Sequence, residues 1–192
     1  SIRLAGAELA GLPPYRIHRL GLARSFQITH LFPRLTVAQT LACATLQPLG
    51  LGDGFLSRLS RQGAVAARVG QVLEQIGLEA RRDVPVAQLS YAEQRALEIG
   101  VTVAGGSDLI LLDEPTAGMS RAESEQAMAL IRRLTEGRTL VMVEHDMSVV
   151  FGLADRIAVL VQGRVIAIDV PERVRGDASV QEAYLGVPRE GR

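Results

Sequence analysis

The chain has 192 residues, of which 47% are hydrophobic and 22% charged, enough for a domain with a real core and inconsistent with wholesale disorder. Its 21 basic and 21 acidic side chains balance, so no overall attraction to nucleic acid or anionic lipid is expected. The single cysteine, Cys43, excludes an internal disulfide, and no apolar run approaches the ~18 residues of a membrane span.

The first part of the chain predicts short strands around one helix. Residues 2–5 are compatible with a β-strand. The helix is expected to begin near Pro13 and Pro14, because proline suits a first helical turn, and to close at Gly21. A further short strand is predicted from Leu22 to Gln27, so that it ends on a polar amide.

Residues 31–89 predict helices and no strand. Residues 36–39 have the spacing of a capping box, which opens a helix. Residues 48–63 are expected to form a flexible connector, because they contain glycine, serine and arginine. Apolar residues recur at helical spacing over residues 65–76, and Gly77 is a natural stop. We interpret this segment as a helical insertion between two α/β parts.

The remaining sequence alternates helices with apolar strands. Ser90 and Ser120 each open a further capping box, the first leading a helix to about Ala104. Continuous apolar strands are predicted at residues 109–112 and 139–143, and a β-hairpin around Gln162-Gly163. Helices alternating with such strands predict an α/β fold with a parallel sheet.

Polar residues stand where several of these elements begin or end. Asp113 and Glu114 follow one strand, His145 comes just after another, and Gln27 ends a third. The end of a parallel strand is where open α/β folds place their chemistry. Each residue taken singly also has a plain structural interpretation: an acidic turn, a surface histidine or a surface amide.

Taken in order, these segments resemble a known family. The segment ARSFQ resembles a Q-loop, LSYAEQRALEIG an ABC signature with its helix, and LILLDEP a Walker B motif with its catalytic glutamate. TAGMSRAE occupies the D-loop position, and VMVEHDM resembles a switch-histidine segment. The chain thus resembles the ATP-binding subunits of ABC transporters. EHDMSVV, LADRIAVLVQGRVIAI and VQEAYLG are most similar to branched-chain amino acid importer ATPases, with urea-type importers close behind.

The resemblance implies a P-loop NTPase (RecA-like) parallel-sheet core with a helical insertion. Residues 1–35 would form the first part of the core, 36–107 the helical subdomain with the signature, and 108–192 the rest of the core. All 21 basic residues other than histidine are arginine, so the phosphate-cradling loop G-x-x-x-x-G-K-S/T is not present. The chain begins with Ser1, and we expect the N-terminal portion with this loop to be missing. These 192 residues alone are therefore expected to be inactive.

The resemblance also assigns roles to residues at the strand ends. Asp113 would hold Mg²⁺, together with Gln27, which would also sense the attacking water. Glu114 would act as general base toward that water. His145 would contact the γ-phosphate of ATP.

The signature and the D-loop are implied to serve the second half of a dimer. Ser90, Tyr91, Ala92 and Gln94 would face ATP on a partner subunit, because a helix N-terminus attracts phosphate. In the D-loop, Gly118 and Ser120 would complete that nucleotide site. Ala92 stands where the family usually has glycine, and Ser120 where many members have aspartate.

The implied assembly is a head-to-tail homo- or heterodimer of ATPase subunits bound to transmembrane permease subunits. A solute-binding protein completes the system, and no nucleic acid is expected. The chain would lie peripherally on the cytoplasmic face of the inner membrane, without a transmembrane segment of its own. Two alternatives stay open: a degenerate ABC module that dimerises without hydrolysis, and an ABC ATPase acting on DNA or the ribosome. Neutral charge and the lack of basic arms disfavour the latter.

Overall fold

The computed structural model describes residues 1–25, 31–46 and 55–185. The chain divides into two units, residues 1–144 and residues 145–192. The first unit contains five strands and five α-helices among its described residues: β1 (Arg3–Leu4), β2 (Ala7–Glu8), α1 (Pro14–Arg19), β3 (Leu22–Arg24), α2 (Val37–Leu46), α3 (Phe55–Ile76), α4 (Tyr91–Ala104), β4 (Leu109–Asp113), α5 (Arg121–Thr135) and β5 (Thr139–Val143).

A parallel sheet in the order β3-β4-β5 positions the candidate functional residues of the first unit. Leu109 lies beside Leu22 on one side and Thr139 on the other. The side chains of Ile110 and Leu112 are buried, whereas those of Leu111 and Asp113 are partly exposed. This alternation anchors β4 in the core, so its C-terminal end has a fixed position. The predicted parallel sheet is confirmed.

Helices α2, α3 and α4 pack on one another, and α4 also packs on α5. Helix α4 approaches α3 closely at Gly100, where a Cβ atom would lie 3.0 Å from the side chain of Ile76. Helix α3 ends at Ile76, and the left-handed φ of +70° at Gly77 agrees with the predicted stop. Two short 3-10 turns, Glu79–Arg81 and Val86–Gln88, lead from α3 to α4.

The predicted connector at residues 48–63 is wrong in its described part. Residues 55–63 belong to α3, which runs unbroken through Gly63. An interior glycine costs a helix only about 1 kcal/mol, and each added residue contributes another helical hydrogen bond. The buried positions Val69, Val72 and Leu73 anchor the C-terminal half of α3. The anchored helix extends toward its N-terminus despite an unfavourable composition. Residues 48–54 of the predicted connector lie outside the described residues.

Among its described residues, the second unit contains a hairpin and three short helices: α6 (Met147–Leu153), β6 (Ile157–Val161), β7 (Arg164–Asp169), α7 (Pro171–Gly176) and α8 (Ala178–Leu185). Gln162 and Gly163 have φ values of 48° and 75°, as a two-residue hairpin turn of the predicted kind requires. The hairpin prediction is confirmed. Val150, Ile157, Val159, Val174 and Val180 form the core of this unit.

Candidate functional site

The Asp113 carboxylate lies at the C-terminal end of β4. Its Oδ2 atom is 3.3 Å from Nη2 of Arg24, at the end of the neighbouring strand β3. The N–H of Asp113 points to the hydroxyl oxygen of Ser25, 3.4 Å away. Both members of the ion pair are partly exposed, so solvent screens their attraction. Asp113 is therefore fixed by its backbone and keeps an accessible carboxylate.

Glu114 adopts an unusual backbone conformation directly after the strand. Its φ of 44° is left-handed, which costs a residue with a Cβ on the order of 1–3 kcal/mol and occurs preferentially at functional sites. Its N–H donates a 2.9 Å hydrogen bond to the carbonyl of Val143 at the end of β5. The neighbouring strand thus holds Glu114 where the chain leaves the sheet.

A buried arginine lies behind this turn and was not singled out from the sequence. Arg95, on α4, is 2% exposed. Its Nε donates to the carbonyl of Pro115 at 2.9 Å, and its Nη2 donates to the carbonyl of Glu114 at 2.6 Å and lies 3.4 Å from that of Asp113. The only signal in the sequence is a charged pair, Arg95 and Glu98, in an otherwise apolar part of the helix.

Glu144 holds the residue after the turn. One of its carboxylate oxygens accepts hydrogen bonds from the N–H of Thr116 at 3.1 Å and from its hydroxyl at 2.5 Å. The Thr116 side chain is buried. The segment from Asp113 to Thr116 is thus held by β5 on one side and by α4 on the other.

The N-terminus of α4 is closed by the predicted capping box. The hydroxyl of Ser90 accepts a 3.3 Å hydrogen bond from the N–H of Glu93, and the carboxylate of Glu93 accepts a 2.8 Å bond from the N–H of Ser90. The Ser90 backbone bond, followed by Arg81, holds the pKa of Glu93 below its ordinary value. The side chain of Gln94 donates to the carbonyl of Leu89.

The signature segment contacts the loop that leads to α5. The phenolic hydroxyl of Tyr91 donates a 2.7 Å hydrogen bond to the carbonyl of Ala117. The adjacent Gly118 has a φ of +76°, and a Cβ there would lie 3.4 Å from the Tyr91 hydroxyl. Ser120 then caps α5 through Glu123. Within this chain, the structure therefore brings the predicted signature and D-loop residues together.

His145 and Gln27 are the remaining predicted site residues. His145 is exposed and is the first residue of the second unit. Asp146, which follows it, caps α6, and the hydroxyl of Ser148 is the main cause of the lowered pKa of Asp146. Gln27 lies outside the described residues.

The described residues contain no group of three or more histidine, cysteine or acidic side chains suited to a metal ion. Within the same ranges, no helix is long and apolar enough to cross a membrane. A cation at Asp113 would need further ligands from its substrate or from water, as Mg²⁺ commonly has.

Comparison with known proteins places this geometry in context. A family model described as "ABC transporter" matches residues 1–117. The chain is 37% identical over 193 aligned residues to LivG of Escherichia coli, a high-affinity branched-chain amino acid transport ATP-binding protein, covering 97% of this chain and 76% of LivG. It is 34% identical to BraF of Pseudomonas aeruginosa, of the same description, covering 96% of this chain and 75% of BraF.

Solved structures show the fold. MJ1267, an ATP-binding cassette of an ABC transporter, superposes with a TM-score of 0.74 at 23% identity, over 89% of this chain and 71% of MJ1267. A dimeric post-hydrolysis state of the cassette MJ0796, bound to ADP and Pi, gives a TM-score of 0.69 at 23% identity, over 88% of this chain and 72% of MJ0796. The prediction of a P-loop ATPase fold is thereby confirmed.

Proposed function

Because the chain belongs to the ABC transporter family, we propose that it is the ATP-hydrolysing subunit of an importer for branched-chain amino acids. The observation that carries this proposal is the turn at the end of β4. Asp113 and Glu114 stand side by side there, and Glu114 is held in a left-handed conformation by bonds from two neighbouring elements. The substrate follows from the likeness to LivG and BraF over nearly the whole chain.

Glu114 is proposed to act as general base. Its carboxylate accepts a proton from the water that attacks the γ-phosphate, and its fixed backbone limits the positions that the carboxylate can occupy. Phosphoryl transfer depends on positioning and electrostatic stabilisation, so the fixed backbone of Glu114 matters as much as its carboxylate.

Asp113 is proposed to hold Mg²⁺, with Gln27 as a second metal contact. A partly exposed carboxylate at a strand end fits a hard cation that takes its other ligands from phosphate and water. Bound there, Mg²⁺ would neutralise charge on the phosphates. The ion pair between Arg24 and Asp113 is screened by solvent, so it leaves this carboxylate accessible to the cation.

The capped N-terminus of α4 is proposed to contact nucleotide held by a partner subunit. Ser90, Tyr91, Ala92 and Gln94 lie at or near this helix end, where the dipole and the first N–H groups attract phosphate. Gly118 and Ser120 would complete the site from the D-loop. The dimeric state of MJ0796 supports a dimer of cassettes. His145 is proposed to contact the γ-phosphate.

The further partners are proposed to be transmembrane permease subunits and a solute-binding protein. The chain would then lie peripherally on the cytoplasmic face of the membrane that holds the permease. Two observations favour a second candidate, a module that dimerises without hydrolysis: the 192 residues contain no lysine, and they carry Ala92 in the signature. The two candidates are distinguished by whether the complete protein hydrolyses ATP and whether that hydrolysis requires the Glu114 carboxylate.

The test uses the complete gene product, purified with its permease and reconstituted with its solute-binding protein. We expect ATP-dependent uptake of leucine, isoleucine and valine, each competing with the others and none displaced by urea or ribose.

Glu114→Gln should lower ATP hydrolysis by about 100-fold or more while ATP still binds, because the amide cannot accept the proton.

Glu136→Gln provides the matched control, since Glu136 is exposed at the end of α5. Hydrolysis unchanged by Glu114→Gln would overturn the catalytic assignment. Uptake of urea or a sugar in place of the three amino acids would contradict the proposed substrate class.

A further inference from the structure

The guanidinium of Arg95 makes four hydrogen bonds beneath the turn that carries Glu114. Three go to consecutive backbone carbonyls, those of Asp113, Glu114 and Pro115. The fourth goes to Glu98, one helical turn further along α4, where Nη1 lies 2.6 Å from Oε2. One side chain therefore ties the signature helix to the end of β4.

The burial of this pair shows that the arrangement is specific. Arg95 is 2% exposed and Glu98 is 7% exposed. A charge removed from water is costly unless hydrogen bonds and an opposite charge compensate it. Here the Glu98 carboxylate balances the positive charge of Arg95. The guanidinium N–H groups that do not bind Glu98 donate to the backbone carbonyls of the turn.

Two of the bonded carbonyls, those of Glu114 and Pro115, follow the last residue of β4. Because Glu114 has a left-handed φ, the chain turns away from β4 at this point, and the carbonyls after the strand need other partners. The bond from Arg95 to the Glu114 carbonyl is short, at 2.6 Å, as charge-assisted bonds are. Arg95 therefore stabilises the turn through its carbonyls, while Val143 at the end of β5 binds the N–H of Glu114.

We infer that Arg95 is a positioning residue for Glu114: it holds the backbone of Asp113–Pro115 in the left-handed turn and so fixes the base. This inference rests on the proposed role of Glu114 in hydrolysis. Glu98 supports it by keeping the guanidinium in place.

The substitution Arg95→Lys would not preserve these four hydrogen bonds. The guanidinium is a rigid planar fork whose nitrogens reach Glu98 and the turn at the same time, whereas an ammonium group donates from a single nitrogen. Arg95→Lys thus keeps the charge and most of the volume but loses the spread of donors. A difference between Arg95→Lys and the wild type would therefore reflect the arrangement of the donor groups and not the burial of a positive charge.

The test is hydrogen–deuterium exchange of the complete protein in the absence of nucleotide. In Arg95→Lys and Arg95→Met, the N–H groups of Glu114, Thr116 and Ala117 should exchange about tenfold faster or more, because charged hydrogen bonds to the turn are lost. Amides in the hairpin of the second unit should keep their rates.

Arg68→Met is the matched control. Arg68 also donates to two backbone carbonyls, those of Val103 and Ala104, but at the far end of α4. Its replacement should speed exchange at that end of the helix and leave the turn unchanged. Should Arg95→Met fail to fold, Arg95→Lys decides the question.

The same variants are then assayed for hydrolysis. Arg95→Lys should lower kcat for ATP by about tenfold and change KM by less than about twofold, because ground-state binding is retained and the base is misplaced. Turn exchange at the wild-type rate in Arg95→Lys overturns the positioning role, whatever the ATPase result. Selective acceleration in the turn supports that role even if the complete protein proves not to hydrolyse ATP, and the proposed function then fails separately.

Discussion

At the residue scale, the first turn of α4 combines a structural and a proposed functional task. Ser90 and Glu93 satisfy each other's backbone N–H groups, which stabilises the helix end. The same helix end is proposed to contact phosphate, so small changes there act on both folding and binding. Two substitutions in this turn separate the tasks.

Ala92→Gly in the complete protein should raise the rate of ATP hydrolysis. The methyl group of Ala92 sits at the second position of α4, where we propose that phosphate approaches the backbone, and glycine removes it. Ala96→Gly, one turn further along the same helix, should leave the rate unchanged. An unchanged rate in Ala92→Gly would show that the methyl group does not hinder the site.

Glu93→Gln should make the stability of the protein less sensitive to acid. The Ser90 backbone N–H and Arg81 lower the pKa of Glu93 from its ordinary value of 4.5, so its stabilisation is complete above about pH 4.5. It is lost as the pH falls through the folded-state pKa. Glutamine keeps an acceptor for the capping box but does not titrate.

The measurement is urea unfolding between about pH 5 and about pH 3, the range in which such a carboxylate titrates. The free energy of unfolding should fall less steeply in Glu93→Gln than in the wild type. Glu136→Gln, on the surface, serves as the control. Equal slopes in wild type and Glu93→Gln would contradict the prediction.

At the element scale, β4 is the strand on which the site depends. It lies between β3 and β5, and its two inward side chains are almost completely buried. Strand β5 pairs only with β4 among the described residues, and its Val141 and Val143 are 49% and 62% exposed. The two strands therefore differ in how much each side chain contributes to stability.

Ile110→Ala should lower the free energy of unfolding by about 2–5 kcal/mol, because it leaves a cavity at a position with 0% exposure. Val141→Thr, on β5, keeps the β-branched shape at an exposed position and should change it by less than about 0.5 kcal/mol. Urea denaturation measures both. A loss below about 1 kcal/mol for Ile110→Ala would indicate that β4 is not tightly packed.

At the scale of the whole molecule, we propose that the chain supplies one part of a nucleotide site. It carries the proposed catalytic carboxylates, signature helix and histidine, and its 192 residues include no lysine for a phosphate-cradling loop. Its division into 1–35, 36–107 and 108–192 stays a prediction.

Isothermal titration of the 192-residue chain with Mg²⁺-ATP should show no stoichiometric binding. The phosphates would lack the loop N–H groups and lysine that P-loop proteins supply, and Asp113 alone is a weak site. The complete gene product is the control and should bind. One-to-one, Mg²⁺-dependent binding by the 192-residue chain would contradict this expectation.

Local patterns in the sequence were sufficient to predict several elements correctly. The capping boxes at Ser90 and Ser120 depend on residues three positions apart, and the hairpin turn depends on Gln162-Gly163. The two strands that end at Asp113 and Val143 were also identified from their continuous apolar runs, although only β4 has buried side chains. Composition misled at residues 55–63, where tertiary packing of the C-terminal half of α3 extends the helix.

Only the tertiary structure decided how the candidate base is held. Arg95 reaches carbonyls 18 to 20 positions away, Tyr91 bonds to Ala117 26 positions away, and Glu144 bonds to Thr116 28 positions away. In its left-handed conformation, the backbone of Glu114 is hydrogen-bonded by Val143 and by Arg95. Sequence patterns predict hydrogen bonds between residues that are close in the chain, within one helical turn or one hairpin. The partners of a strand end are chosen by the pairing of distant strands, which brings such residues together.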